Sequence, residues 1–199
     1  MIPKAGRVRI KRFSLLLTVL CLVISFLMVT VGCRALGYLL YPRRYRPIVE
    51  RYAALFSVPE AVVYAVMRTE SHFDPDAVSR TGARGLMQLM PATYRALADQ
   101  LGLDYNRQSV FIPEVNLACG VCLLSLLYQK YQSCELVFAA YNAGEPTVDR
   151  WLNDSRYSDS RVLARIPYPE TAAYVASVRR TAGVYQTLYP LSMIPDGNT

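Results

Sequence analysis

Twenty-one consecutive uncharged residues, Phe13 to Cys33 (FSLLLTVLCLVISFLMVTVGC), constrain this chain more than any other feature. As a helix, at about 1.5 Å per residue, such a run spans roughly 30 Å, the thickness of a bilayer's hydrocarbon core. A core helix of a globular domain is a poor alternative, because the ends of this run are not amphipathic and basic residues flank both sides. Residues 13–40 are therefore expected to be a transmembrane anchor or signal segment. A cleaved signal has an apolar region of about 7–15 residues and a small-x-small site. Here the run is longer and TVGCRALG offers only a mediocre site, which favours an uncleaved anchor. Thr30, three residues before Cys33, argues against a lipid-modified cysteine. Five basic residues precede the span, but Arg34, Arg43, Arg44 and Arg46 follow closely. The positive-inside bias favours a cytoplasmic N-terminus only weakly and leaves the side open.

The net charge of +7 has to be located before it can be interpreted. Residues 1–46 hold nine Lys and Arg and no acid, so the rest of the chain carries 13 basic against 15 acidic residues. The basicity belongs to the N-terminal arm. A phosphate-binding surface needs clustered Lys and Arg on the folded part, so nucleic acid is not expected as a partner. With 199 residues and 53% hydrophobic content, the chain can build one domain with an ordinary core.

The five cysteines give no metal site. Cys21 and Cys33 lie in or at the end of the apolar span. Cys119 and Cys122 form a CxxC, but there is no second pair, and His72 is the chain's only histidine. Their setting, NLACGVCLLSLLY, is a strongly apolar helix, so they read as small buried core residues. Cys134 completes the five, and whether any of the three domain cysteines form a disulfide stays open.

Punctuation by Pro and Gly divides the rest. Residues 1–12 form a basic tail, 41–47 (YPRRYRP) a linker, 48–190 a single folded domain and 191–199 a C-terminal tail. IVERYAALF and PEAVVYAVMRTE predict helices, the second with Pro59 in its first turn and Val62, Val63, Val66 and Met67 at helical spacing. Residues 71–85 form a polar loop rich in Ser, Asp, Pro, Gly and Arg. PATYRALADQLG restarts a helix behind Pro91, with Gly102 as its stop. Helical periodicity returns over 113–131 and 134–142, in the short TVDRWL, and in the long closing segment PETAAYVASVRRTAGVYQTLY. No segment alternates as a strand, although GLMQL suits a short extended or irregular stretch. The expected fold class is mostly α.

One carboxylate draws attention. Glu70 ends an apolar helical run and is followed at once by a polar turn. A carboxyl held against apolar surface loses hydration, which raises its pKa and suits it to act as a general acid. From position alone a solvated helix end is the better reading. Its context alters that balance. Gly82 and Gly85 allow positive φ or close approach to a ligand. Gln88 sits between Met87 and Leu89, an odd place for an amide unless it bonds something buried or bound. FAAYNAG ends a later helix with Tyr141 and Asn142, a hydroxyl and an amide suited to sugar hydroxyl and acetamido groups, or alternatively a helix C-cap closed by Gly144.

The segments ESHFDPDAVSRTGARGLMQLMP, AAYNAG and IPYPETAAYV, in that order, resemble the three motif blocks of the soluble lytic transglycosylase (SLT) catalytic domain. That domain has a lysozyme-like, goose-type α fold. The likeness runs from residue 48 to about 189. It implies cleavage of the β-1,4 bond between N-acetylmuramic acid and N-acetylglucosamine in peptidoglycan, with a 1,6-anhydro-muramyl end formed without water. By matched position, Glu70 is implied as the single catalytic acid/base. Ser79 is implied to help hold the N-acetyl region, and Gln88 and Met90 to line the cleft. Tyr141 and Asn142 are implied to orient the glutamate and the substrate, and Glu170 and Tyr174 to border the sugar site. His72 stands where small residues are frequent, and Cys122 where an aromatic is common.

The resemblance also explains a missing partner. Glycosidic cleavage commonly uses two carboxylates, with substrate-assisted enzymes as the exception. Asp74 and Asp76 flank Pro75 and read as turn formers. In the implied mechanism the substrate's acetamido oxygen assists in place of a second carboxylate. Glu70 then acts first as acid and next as base towards the C6 hydroxyl. The alternatives are a hydrolytic muramidase of the same fold and a non-catalytic glycan-binding envelope scaffold. The implied partners are peptidoglycan strands and the membrane, with no cofactor and no metal. The implied location is a single-pass membrane protein facing the cell wall, or a secreted one after signal cleavage. Endo or exo action, oligomeric state and biological process do not follow from these residues.

Overall fold

The computed structural model describes residues 4–103, 108–159 and 162–190, so the C-terminal tail 191–199 expected above lies outside the described residues. The chain divides into two compact units, Met1–Pro42 and Arg43–Thr199. The first contains helix α1 (Lys4–Leu40), of which Leu17–Leu40 is long and apolar enough to cross a membrane. Its apolar side chains, Phe26, Met28 and Val31 among them, are exposed within the unit, as a lipid-facing helix requires.

The second unit is a helical domain. Its helices are α2 (Arg46–Leu55), α3 (Glu60–Ser71), α4 (Pro91–Gln100), α5 (Pro113–Tyr131), α6 (Cys134–Ala143), α7 (Glu145–Leu152) and α8 (Pro169–Leu188). Proline stands in the first turn of α2, α4, α5, α7 and α8, where its missing N–H costs nothing and its fixed φ fits the helix. A short 3-10 turn, Ser109–Phe111, precedes α5. The mostly α expectation holds, with one addition. Ser158–Asp159 (β1) and Val162–Leu163 (β2) pair antiparallel, a ladder too short to leave a period-two pattern in the sequence.

Helix α5 lies at the centre. Every residue from Asn116 to Cys122 is buried, together with Leu124 and Leu127, so the helix is enclosed on all sides. It packs on α2, α4, α6 and the 3-10 turn. Cys119 and Cys122 are free thiols inside this core, as their setting predicts. Both join a cluster with Leu89, Tyr94, Leu97, Ala98 and Val110. On the other side α3 packs most extensively on α8, and Tyr64 stacks on Tyr185 with ring centres 5.1 Å apart. Arg43 ties the start of this unit together. Its guanidinium meets Glu50 at 3.1 Å and Glu60 at 2.6 Å, and lies 5.1 Å from the ring centre of Tyr189. Apolar packing in α3, α5, α6 and α8 therefore holds a rigid frame, and the loop from His72 to Met90 lies against it.

Candidate functional site

Glu70 lies on the last turn of α3, after the buried run Val62–Met67. The chain leaves the helix through two successive left-handed residues, His72 (φ 52°) and Phe73 (φ 67°). Each costs on the order of 1–2 kcal/mol for a residue with a Cβ. Burial of Phe73, 3% exposed, returns roughly as much, about 1.5–3 kcal/mol, and pins the turn. This turn stops α3 one residue past Glu70 and keeps the carboxyl at the helix mouth. His72 is exposed and takes part in the turn only through its backbone.

The carboxyl itself is largely desolvated, and burial pushes its pKa up from the ordinary 4.5 to about 7. One hydrogen bond opposes this. The hydroxyl of Tyr174, from α8, donates to Glu70 Oε1 at 2.7 Å and favours the charged form. Tyr141, from α6, lies close enough for the carboxylate to help raise its own pKa, after burial as the main cause. Its hydroxyl donates to the backbone carbonyl of Met87 at 2.8 Å. No second carboxylate contributes to the shift of Glu70. Asp74 and Asp76 are exposed, and the Asp74 side chain accepts from the Asp76 N–H at 3.0 Å, the turn role expected of them.

The His72–Met90 loop is folded back on itself by two isolated bridges, Val78 with Arg84 and Arg84 with Leu89. Ser79 is engaged within the loop. Its N–H donates to the Ala83 carbonyl, its Oγ accepts from the Ala83 N–H, and it pairs with Thr81 Oγ1, each at about 2.9 Å. Gln88 has a positive φ of 48°, and its amide nitrogen donates to the carbonyls of Ala77 (3.1 Å) and Gly85 (2.9 Å). Both amide protons are thus committed, and only Oε1 remains to accept from a ligand. Met90 is 43% exposed at the start of α4.

The remaining candidates come from α6 and α8. Asn142 is exposed on the last turn of α6, with its Oδ1 accepting from the Thr171 hydroxyl at 2.8 Å, so its NH2 is the group left for a ligand. Glu170, the first-turn acid of α8, is exposed and makes none of the hydrogen bonds of the site. The structure thus brings Glu70, Tyr141 and Tyr174 together and links Asn142 to α8. Ser79, Gln88 and Met90 lie on the loop beside them, and Glu170 lies outside the bonded group. Among the described residues, no three His, Cys, Asp or Glu side chains gather as a metal site would require.

Three residues escaped the sequence reading. Thr171 is 2% exposed and orients Asn142. Ser71, beside Glu70, donates to the carbonyls of Met67 (3.2 Å) and Leu86 (2.8 Å). Asn116, fully buried in α5, accepts from the Met87 N–H at 2.8 Å. It also donates to the carbonyls of Val110 (2.8 Å) and Arg84 (3.1 Å). The only signal for it was a lone amide in a greasy helix, since its loop partners Met87 and Arg84 lie about thirty residues away along the chain.

Residues 47–163 match the family model of the transglycosylase SLT domain. Among curated relatives, the soluble lytic murein transglycosylase of Escherichia coli (strain K12) is 32% identical over 143 residues, which is 69% of this chain and 22% of the relative. The membrane-bound lytic murein transglycosylase C of Histophilus somni (strain 2336) is 32% identical over 139 residues, 64% of this chain and 38% of the relative. Among solved structures, the 70-kDa soluble lytic transglycosylase of Escherichia coli superposes with a TM-score of 0.67 at 31% identity, covering 74% of this chain and 25% of that one. The chain therefore spans only about a fifth to two fifths of the length of these relatives. The matched segment includes Glu70, the folded-back loop and the Tyr141–Asn142 pair, and more than half of the chain is covered. On that ground the chain belongs to the transglycosylase SLT domain family.

Proposed function

We propose that the helical unit is a peptidoglycan lytic transglycosylase that cleaves the MurNAc-β-1,4-GlcNAc bond without water. The observation that carries this reading is the desolvated carboxyl of Glu70, with a pKa near 7 and one orienting hydroxyl at 2.7 Å. Such a group is protonated in a useful fraction at neutral pH, and as a carboxylate it can take a proton back. Protonation of the glycosidic oxygen by Glu70 breaks the bond from C1, while the muramyl acetamido oxygen bonds to C1 and forms an oxazolinium. Glu70, now charged, removes the proton of the C6 hydroxyl. The C6 oxygen then bonds to C1, the acetamido group is released, and a 1,6-anhydro end results. The nucleophile is intramolecular, which spares the entropy of fixing a water.

In the same proposal, Gln88 Oε1 and the Asn142 NH2 offer a complementary acceptor and donor to the glycan. Met90 and Tyr141 form apolar wall beside them, and Tyr174 orients the acid. Ser79 acts by holding its loop, and Glu170 contacts the strand at the edge of the site. Helix α1 anchors the protein in the membrane, with the helical unit on the side of the cell wall. The likeness to membrane-bound relatives supports the anchor. The test is digestion of purified peptidoglycan by the full chain in detergent, followed by mass spectrometry of the products. Ends one water lighter than reducing ends are expected. Reducing ends alone would replace this reading with a hydrolytic muramidase, and binding without cleavage would replace it with a scaffold role.

A further inference from the structure

We propose that Asn116 is a positioning residue for the site, acting through one peptide unit that it holds from behind. This rests on the functional reading of Glu70 given above. The Leu86 carbonyl and the Met87 N–H belong to a single peptide group. Asn116 Oδ1, from α5, accepts from the N–H at 2.8 Å. Ser71 Oγ, from the end of α3 and next in sequence to Glu70, donates to the carbonyl at 2.8 Å. The following carbonyl, that of Met87, accepts from the Tyr141 hydroxyl of α6 at 2.8 Å. Three helices thus meet on two adjacent carbonyls and one amide; Tyr141 faces Glu70, and Ser71 follows it in the chain.

Asn116 is not replaceable by another small polar group. It uses both ends of its amide, since Nδ2 donates to Val110 O (2.8 Å) and Arg84 O (3.1 Å), so its orientation is fixed by three backbone partners. The surroundings are shaped for it. Gly85 has φ 74°, and a Cβ there would run into the Asn116 amide and lie 2.8 Å from the Val110 carbonyl. On the next turn of α5, a Cβ on Gly120 would collide with the side chain of Met87. The loop can lie this close to α5 only because both positions lack a side chain. The hydrogen bonds of Asn116 go to Met87, Arg84 and Val110 and none to Glu70, so its influence passes through the peptide unit. The titratable groups that face Glu70 are Tyr174 from α8 and Tyr141 from α6.

The test uses the full chain in detergent, with Asn116→Asp as the variant. Asp can still accept from Met87 N–H but turns a charge towards the Arg84 and Val110 carbonyls. Two readouts are needed. The first is turnover of peptidoglycan against pH. In a folded Asn116→Asp protein, kcat should fall roughly tenfold or more while KM changes less than about threefold, and the added negative charge should move the alkaline limb of kcat/KM to higher pH. In a Tyr141→Phe background the same substitution should cost less than about threefold, because the route through Tyr141 is already cut. The second readout is titration of Glu70 by carbon-13 carboxyl NMR, its signal identified by its loss in Glu70→Gln. It requires no activity. A raised Glu70 titration point is expected in Asn116→Asp. If the wild type fails to cleave glycan, the functional reading falls while the NMR arm still judges the positioning role. A folded variant with unchanged kcat, unchanged pH limb and unchanged Glu70 titration overturns the proposal, as does full additivity with Tyr141→Phe. Asn116→Ser, which leaves space in place of charge, provides the same readouts should Asn116→Asp fail to fold.

Discussion

Burial raises the pKa of Glu70 more than the single Tyr174 hydroxyl lowers it, and the imbalance has a cost that can be measured. A carboxyl whose folded pKa lies above its unfolded value keeps a proton that the unfolded chain releases. Between about pH 4.5 and about pH 7, stability therefore falls as pH rises, and above that window the cost is constant. At 1.36 kcal/mol per unit, the cost above pH 7 is at most about 3 kcal/mol. Glu70→Gln should remove it. Thermal or denaturant unfolding at pH 8 is expected to show the variant more stable than wild type, with the gap closing near pH 4.5, while glycan cleavage is lost. Tyr174→Phe should act in the opposite sense on titration. Without the hydroxyl the charged form loses its one stabilising bond, so the pKa rises further and the alkaline limb of the pH–rate profile moves to higher pH. The rate should also drop, by roughly tenfold, because the carboxyl loses its orienting partner.

At the scale of the element, the helix boundaries were readable because they rest on local chemistry. Prolines begin α4, α5 and α8, and α5 spans Pro113–Tyr131, the range that periodicity predicts. The short ladder at Ser158–Leu163 was not readable, since two residues per strand carry no alternation. Residues 71–85 were legible as a polar loop and GLMQL as a short extended or irregular stretch, but not the folded-back unit they form together, because its anchors, Asn116 and Tyr141, come from other helices. The closeness of α5 to this loop predicts the effect of Gly120→Ala. The new Cβ would lie 2.9 Å from Met87 Cβ, which a side-chain rotation cannot relieve. Denaturant titration should give a loss of about 1–3 kcal/mol from overpacking, against the small gain that alanine brings to an exposed helix position.

For the whole molecule, α1 and the helical unit answer to different solvents. Leu17–Leu40 exposes Leu, Val, Phe and Met side chains that water penalises and a bilayer does not, whereas the unit from Arg43 encloses its own core. The full chain is expected in the membrane pellet, resistant to high salt and released by detergent. A chain beginning at Arg43 should stay in the supernatant. Fractionation with immunodetection of both forms checks this, and release of the full chain by salt alone would show that α1 is not embedded.

The sequence by itself determined the mostly α class, the limits of the domain helices and the presence of one long apolar N-terminal run, because each depends on residues within a few turns of one another. Only the tertiary structure decided what surrounds the Glu70 carboxyl. The partners Tyr174 and Tyr141 come from α8 and α6, and Asn116 supports the loop from α5. Desolvation is a property of packed neighbours and not of a residue's own chemistry, so a pKa near 7 appears only when distant segments close around the group.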